Sequence, residues 1–224
     1  MREHFNQEIE NLKTNLIKMA SLVDDQVDKA ITALNTGDVE LCKGIKSNDI
    51  EVDRYDNLIQ TQCENILALF QPVASDLRLI ISAIMINNNL ERCGDIAVNI
   101  AQRVKKTGDA RSLIIESQII EMARAAQSML KNSINSFINN DTELASAVLT
   151  DDEVVDKLNK SIFHFLISKM HTDNSLIEEC THLIVMSRHI ERMADHATNI
   201  AENLVFYVDA QIIAHKKKLD RKEN

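Results

Sequence analysis

Two pairs of acidic residues, one hundred positions apart, have a spacing that could support chemistry. Glu91 and Asp95 form one pair, and Glu191 and Asp195 form the other. On a helix, residues four apart lie one turn apart on the same face, with roughly 5–6 Å between their Cβ atoms. Two carboxylates held there repel each other. A nearby Arg or Lys, a shared proton or a bound cation would relieve that repulsion.

Each pair has an arginine directly after its glutamate, Arg92 in one and Arg192 in the other. Adjacent helical residues point about 100° apart, so we expect neither arginine to lie squarely between its two acids. A hard cation with oxygen ligands then remains as the natural counter-ion. A single Glu-x-x-x-Asp is common on solvated helix faces. The occurrence of this pattern twice, one hundred residues apart, favours a cation-binding site.

The acidic pairs belong to a segment that occurs twice. Leu90–Ala101 and Ile190–Ala201 are identical at seven of twelve positions and differ conservatively at the first. Similarity continues towards the amino terminus of each copy, with a shift of 103 positions instead of 100. The chain is therefore predicted to contain two copies of one unit, with residues 1–107 as the first and 108–224 as the second.

A further acidic pair precedes the motif in each copy. These pairs are Asp49/Asp53 and Asp152/Asp156, again four residues apart. Taken alone, Asp49 suits a helix N-terminus and Asp53 a solvated neighbour. If the second and third helices of each copy pack antiparallel in a three-helix bundle, the two pairs meet. Four such carboxylates suit an oxygen-rich site, with one or several ions, for Fe, Mn, Mg or, with a histidine, Zn.

Other polar residues lie close to the motif. We expect His196 to be structural, because it points away from Asp195 on the helix. Asn99 and Asn199 supply either further oxygen contacts or hydrogen bonds between helices. A ligand role is open for Cys93, although a methionine fills its place in the second copy. The four cysteines show no C-x-x-C spacing, so we expect reduced, mostly buried thiols in a cytoplasmic protein.

Composition indicates an all-α protein. The 224 residues include only four Gly and one Pro, and aromatic residues make up 4%. Few turns can be built from that, so the elements must be long and filled by aliphatic side chains. The net charge of −9 disfavours nucleic-acid binding. The longest apolar run, Leu79–Ile86, is too short to span a bilayer, and no signal peptide is evident.

The helical pattern predicts three helices in each copy. The first extends from about Arg2 to Asn35, and Asp38 caps the next. That helix is expected to break or bend at Asn48–Asp49, resume to about Phe70 and stop before Pro72. The third continues to about Lys106. The last helix of the chain is predicted from about Ser175 to Lys218.

The last predicted helix ends in the basic run His215–Lys218, which either complements the helix dipole or contacts a partner or lipid.

Two alternatives to a non-enzymatic metal-binding protein are open at this point. A di-metal carboxylate enzyme of the ferritin-like kind needs two Glu-x-x-His sets, and only Glu179–His182 has that spacing. A purely structural helical adaptor would leave its acids solvated. No glycine-rich phosphate loop and no nucleophile–base constellation is evident, so we expect a protein that is not an enzyme.

These residues resemble the PhoU family of phosphate-transport regulators. The resemblance rests on Leu90–Val104, Ile190–Glu202 and Gln71–Arg78, with Ala194 departing from a usual glycine. It implies two three-helix bundles in one elongated domain, and likewise a homodimer. It also implies metal ligands at Glu91, Asp95, Glu191 and Asp195, with Asp49, Asp53, Asp152 and Asp156 from the preceding helices.

The function implied by the resemblance is regulatory. Such a protein represses phosphate-starvation signalling when phosphate is plentiful. It acts between the ATPase of a phosphate ABC transporter and a membrane sensor histidine kinase, and its metal ions are Fe, Zn, Mn or Mg. We expect no nucleic-acid partner. We also expect no membrane-spanning helix in the protein itself.

Overall fold

The structure is a computed structural model that describes residues 2–107 and 110–212. Within these residues it contains α-helices, one short 3₁₀ helix at Asn174–Leu176 and no β-strand, which confirms the all-α prediction. The α-helices are α1 (Arg2–Thr36), α2 (Val39–Phe70), α3 (Ala74–Val104), α4 (Arg111–Glu116), α5 (Ile119–Asn139), α6 (Thr142–Thr172) and α7 (Ile177–Asp209).

The long helices form two bundles of three. In the first repeat α1, α2 and α3 pack against one another, and α5, α6 and α7 do the same in the second. Across the repeats α3 lies along α7 and α1 packs against α5. At about 1.5 Å per residue, these helices are roughly 30–50 Å long, which gives an elongated molecule. The predicted two-repeat plan is confirmed. Its boundary between residues 107 and 108 stays a prediction.

The core is aliphatic, as the composition predicted. In α1, the buried side chains step by three or four residues along one face and include Leu12, Leu16, Met19 and Val23. All four cysteines are free and buried, which confirms that they serve as small core residues. None of the described helices combines the length and the hydropathy that crossing a bilayer requires.

Helix ends in the two repeats use the same chemistry. Asp38 caps α2 by accepting a 2.9 Å hydrogen bond from the backbone amide of Glu40. At the equivalent position Asp141 caps α6 by accepting a 2.9 Å bond from the amide of Leu144. These caps satisfy amide groups that lack partners inside their helices. The predicted cap at Asp38 and the stop of α2 before Pro72 are both confirmed.

The break predicted at Asn48–Asp49 is wrong, because α2 is continuous across it. Asn and Asp cost a helix only a few tenths of a kcal/mol more than most residues. The surrounding turns bury Ile45, Val52 and Ile59 completely. This burial outweighs the local preference, and the continuous helix holds Asp49 and Asp53 one turn apart.

The last helix is shorter than predicted. It ends at Asp209, and Ala210 adopts a left-handed conformation with φ of 55°. The amide of Ala210 donates to the carbonyl of Phe206, which closes the final turn. Ile212 beyond it is 73% exposed, so no buried contact favours further helix there. The basic run His215–Lys218 lies outside the described residues.

Helices α3 and α7 are antiparallel, and the duplicated motif lies at the middle of both. Ser82 Oγ donates to the carbonyl of Asn203 at 3.0 Å near one end of the pair. Near the other end Arg103 Nη1 lies 2.9 Å from His182 Nδ1. Ser82 and His182 are equivalent positions of the two repeats, and so are Arg103 and Asn203. The two contacts are therefore equivalent, and an approximate twofold axis relates α3 to α7.

The centre of this helix pair is held by a buried polar contact. Asn89 Oδ1 lies 2.9 Å from His196 Nδ1 and 3.3 Å from Asn199 Nδ2. The predicted structural role of His196 is confirmed, and Asn199 bonds between helices. Because Asn89 is buried, these donors have little access to water as a substitute partner.

Replacing Asn89 by alanine should destabilise the protein by about 1–3 kcal/mol, because it leaves two donors of α7 without an acceptor. Urea unfolding followed by circular dichroism measures this. Asn88→Ala changes a neighbouring exposed residue and should shift the free energy of unfolding by less than about 0.5 kcal/mol. Equal effects of the two substitutions would contradict the role given to Asn89.

Candidate metal centre

The first-repeat cluster consists of five carboxylates on two neighbouring helices. The turn at residues 71–73 folds α3 back along α2, so that the middle of α3 lies beside the middle of α2, where Asn87 contacts Asp56. This is the antiparallel packing that the sequence predicted. The cluster comprises Asp49, Asp53 and Asp56 of α2 with Glu91 and Asp95 of α3.

Gly94 allows α2 and α3 to approach closely at this point. A Cβ atom built on Gly94 would lie 3.1 Å from Oε1 of Gln26 and 3.5 Å from Oδ1 of Asp49. It would also lie 3.5 Å from Cγ1 of Val52. The glycine therefore leaves a small space that is bounded by a buried amide and a carboxylate.

Mutual repulsion and burial raise the pKa of three of the carboxyl groups. For Asp49 burial is the largest cause, followed by the charges of Asp53 and Asp95, and a hydrogen bond with Gln26 opposes them. For Glu91 the pKa is raised by burial and then by Asp95, while Arg92 lowers it. The structure has thus brought acids of the two helices within electrostatic reach.

Asp56 is the third carboxyl group with a raised pKa. Burial is the largest cause, Asp53 adds to it, and a hydrogen bond from Asn87 opposes it. Asn87 Nδ2 donates to Asp56 Oδ1 at 2.6 Å and also contacts the backbone carbonyl of Asp56 at 3.2 Å. Asn87 therefore fixes the orientation of a partly buried carboxylate beside the other four.

The expectation that Arg92 cannot lie between its two acids is wrong. Its Nε lies 3.4 Å from Oε2 of Glu91, and its Nη1 lies 3.7 Å from Oδ2 of Asp95. The 100° offset sets only the direction of the Cβ atom, and the long arginine side chain bends back over the pair. The side chain is 52% exposed and these contacts are longer than hydrogen bonds, so water screens much of the attraction.

The second-repeat cluster occupies the equivalent helices. Asp152 and Asp156 lie on α6, Glu191 and Asp195 lie on α7, and the two helices pack along each other. Asp152 and Glu191 are partly buried, whereas Asp156 and Asp195 are exposed. Arg188 lies 3.7 Å from Glu191 here, one turn before it rather than directly after it.

The donor chemistry of both clusters fits a hard metal ion, because every side chain offers oxygen. In the first cluster Oε1 of Gln26 is buried without a hydrogen-bond partner, beside Asp49 and the space at Gly94. As placed, however, no three acidic, histidine or cysteine side chains within residues 2–107 and 110–212 converge closely enough to hold an ion. Binding would therefore require side-chain movement, and the eight-residue ligand set stays a prediction.

Three residues beside the first-repeat cluster were not predicted from the sequence. Asp56 is three residues after Asp53 and so shares its helix face, a signal that could have been used. Gln26 is a polar residue within the apolar stripe of α1, which marks it as unusual but not as part of a site. Asn87 is four residues before Glu91 and so shares its helix face, but only the packing of α3 on α2 places it beside Asp56.

These features define a class of all-α proteins built from two copies of a three-helix unit, each with an acidic cluster on its second and third helices. The family model described as the PhoU domain matches residues 16–104 and again residues 119–204. The chain therefore belongs to the PhoU family.

Relatives match over nearly the whole chain. One from Caulobacter vibrioides is 32% identical over 226 residues, covering 98% of each chain. One from Aquifex aeolicus is 36% identical over 210 residues, covering 94% of this chain and 95% of the relative. Both are named phosphate-specific transport system accessory protein PhoU homolog.

Two solved structures have the same fold. The crystal structure of PhoU from Pseudomonas aeruginosa superposes with a TM-score of 0.88 at 33% identity, covering 92% of this chain and all of that one. The structure of the phosphate transport system regulatory protein PhoU from Streptococcus pneumoniae gives 0.85 at 28% identity. It covers 93% of this chain and 99% of that one.

Asp49→Asn should stabilise the metal-free protein at neutral pH, by a few tenths to about 1 kcal/mol. Because the pKa of Asp49 is raised on folding, ionising its carboxyl group opposes folding above that pKa. A neutral asparagine avoids this and can donate to the unpartnered Oε1 of Gln26. Thermal unfolding with a chelator present measures the effect between pH 4 and pH 8.

The gain should shrink as pH falls, because the wild-type carboxyl group is then protonated in both states. Asp151→Asn, at an exposed position of α6, is the control and should have little effect at any pH. A metal-free wild-type protein that is as stable as the Asp49 variant at pH 7 would contradict the unrelieved repulsion.

Proposed function

We propose that this protein is a negative regulator of phosphate uptake and phosphate-starvation signalling, acting between a phosphate ABC transporter and a sensor histidine kinase. The match of the family model to both repeats is the observation that carries this proposal. Its relatives are named as accessory proteins of a phosphate-specific transport system, and they match along almost their full length. We expect the protein to act without catalysis, in the cytoplasm, as a homodimer.

We further propose that the acidic clusters bind Fe, Zn, Mn or Mg ions as part of this regulation. The support is the raised pKa of Asp49, Asp56 and Glu91, which reflects burial and repulsion that a cation would offset. A bound metal ion supplies a concentrated positive charge that several carboxylates share. The residues of α2 and α3 would then be tied to one another, which stiffens the face that they form.

Arg92 would act as the counter-ion of the first cluster when no metal is bound. It reaches both Glu91 and Asp95, yet it is half exposed and free to move into water. An arginine offers one positive charge spread over a planar group, whereas a divalent ion places two charges at one point among the oxygens. Metal binding would therefore displace Arg92 from the pair.

The same contacts favour one alternative, a metal-independent helical adaptor. If Arg92 suffices to offset the repulsion, the acids need no ion. The described side chains do not converge on an ion in their present arrangement. In this alternative, the protein would still bind its phosphate-signalling partners, through surfaces that its long helices present.

Protein purified without chelator should contain bound metal, measured by inductively coupled plasma mass spectrometry. Replacing Glu91 and Asp95 by alanine should remove the metal of the first repeat and leave that of the second. Glu64→Ala, on an exposed turn of α2, serves as the control and should retain full content. Metal-free wild-type protein whose stability is unchanged by added ions would favour the adaptor.

Deleting the gene should raise phosphate uptake several-fold in phosphate-rich medium, measured with radiolabelled phosphate. The wild-type gene should restore repression. A variant with Glu91, Asp95, Glu191 and Asp195 replaced by alanine should fail to restore it if regulation needs metal. Restoration by that variant would select the adaptor, and unaltered uptake after deletion would reject a role in phosphate regulation.

A further inference from the structure

Helices α1 and α5 border an open groove of about 600 Å³ at the second contact between the repeats. The two helices are antiparallel. Near the middle of the pair, Gln127 Nε2 of α5 donates to Asp28 Oδ1 of α1 at 3.1 Å, and further along Ile17 and Ile138 line one cleft. The acidic clusters lie on the other four long helices, so the groove is a separate feature of the molecule.

The two walls of the groove carry opposite charges. The α1 wall presents three aspartates, and the α5 wall presents one arginine and one lysine. These residues are Asp24, Asp25, Asp28, Arg124 and Lys131. The small residues Ser21 and Ser128 lie among them, so the groove is shallowly filled and a neighbouring helix can approach it closely.

One chain by itself leaves these opposite charges unmatched. Within residues 2–107 and 110–212 no ion pair joins the two walls, and Asp25 pairs instead with Lys29 of its own helix. Asp24 keeps one buried carboxylate oxygen, Oδ1, without a hydrogen-bond partner. Burial raises the pKa of Asp24, and the charge of Lys131 opposes this only in part. The acidic wall therefore has capacity for further positive charge.

An exposed apolar area adjoins the groove at one end. Ile17 of α1 is 42% exposed and Ile138 of α5 is 43% exposed. Both line the same cleft, so they lie at the same level of the antiparallel helix pair. Neighbouring exposed apolar side chains beside a charged groove favour a surface that another protein covers.

A twofold axis parallel to α1 and α5 makes this face complementary to itself. Rotation about such an axis brings α1 of one subunit over α5 of the other and keeps every residue at its level. Asp24 then faces Lys131 of the partner subunit, and Ile17 faces Ile138 of the partner subunit. The same rotation matches both walls at once, as expected for the isologous interface of a twofold homodimer.

The face is large enough for a specific dimer. Helix α5 has 21 residues, so it is roughly 30 Å long, and two helices side by side are about 20 Å wide. Contact over this area buries on the order of 600 Å² of each subunit, at the low end of the range for specific interfaces. Exposed charge pairs are screened by salt, so we expect a dimer that weakens as salt is added.

We propose that the outward sides of α1 and α5 form the homodimer interface of this protein, an inference that rests on the homodimer of the proposed function. The acidic wall of each subunit packs on the basic wall of the other. Asp24 and Asp28 pair with Lys131 and Arg124 of the partner subunit. The interface uses only α1 and α5, so the acidic clusters on the other helices stay accessible in the dimer.

Sedimentation equilibrium of two charge-reversed variants tests this proposal. Arg124→Glu with Lys131→Glu makes both walls acidic, and Asp24→Lys with Asp28→Lys makes both walls basic. Each variant alone should have a dimer dissociation constant about tenfold or more above that of the wild type, because like charges then meet. An equimolar mixture should form a heterodimer, since every acidic wall meets a basic one. Folded variants whose mixture stays monomeric would overturn the proposed face.

Two further comparisons remain informative if a charge-reversed variant fails to fold, which circular dichroism shows. Ile17→Glu leaves both charged walls intact and should weaken the dimer several-fold, whereas Ile50→Glu, at an exposed position of α2, should not. Lys157→Glu with Lys160→Glu makes the same change of net charge on exposed positions of α6 and should leave dimerisation unchanged. Equal weakening by a substitution and its control would contradict the assignment.

The outcomes separate this inference from the function on which it rests. Wild-type protein that is monomeric at every concentration tested would reject both the face and the homodimer. Dimers that persist in both charge-reversed variants would reject the face and leave the homodimer. Unchanged dimerisation together with lost repression of phosphate uptake would assign the face to another protein instead of a second copy.

Discussion

Carboxylates on adjoining helix faces repel one another, and the rest of the structure must offset this local cost. Helices α2 and α3 place acids of both helices within electrostatic reach, and partial burial makes their charges costly. The helices are long and their buried aliphatic faces are extensive, so the bundle tolerates this local cost. Sites that oppose folding locally are commonly the sites that bind something.

The duplication explains why two such clusters exist, and the packing explains where they lie. Antiparallel contact of α3 with α7 puts the motif of each repeat at the middle of the same helix pair. Ser82 with Asn203 and His182 with Arg103 show that the two repeats meet through equivalent positions. The α2–α3 face of one repeat is therefore joined to the other repeat by packing of the helix that carries the motif.

The repeats differ both within the motif and at positions around the acidic clusters. The core motif keeps its Glu, Arg and Asp in both copies, whereas Gln26 and Asp56 have lost their counterparts. The arginine contacts of the two clusters also differ. Arg92 turns back onto its own acid pair, and in the second repeat Arg188 lies 3.7 Å from Glu191. The two motif copies thus keep the same acids but have different neighbouring residues.

The sequence by itself determined the helical class, the duplication and the acidic pairs, because periodicity, capping residues and four-residue spacing are local properties of one helix. It also indicated the buried thiols and the structural role of His196. Tertiary structure alone decided the continuity of α2, the reach of Arg92 and the presence of Gln26 and Asn87 beside the acids. These depend on burial and on contacts between helices far apart in sequence, so no local pattern records them.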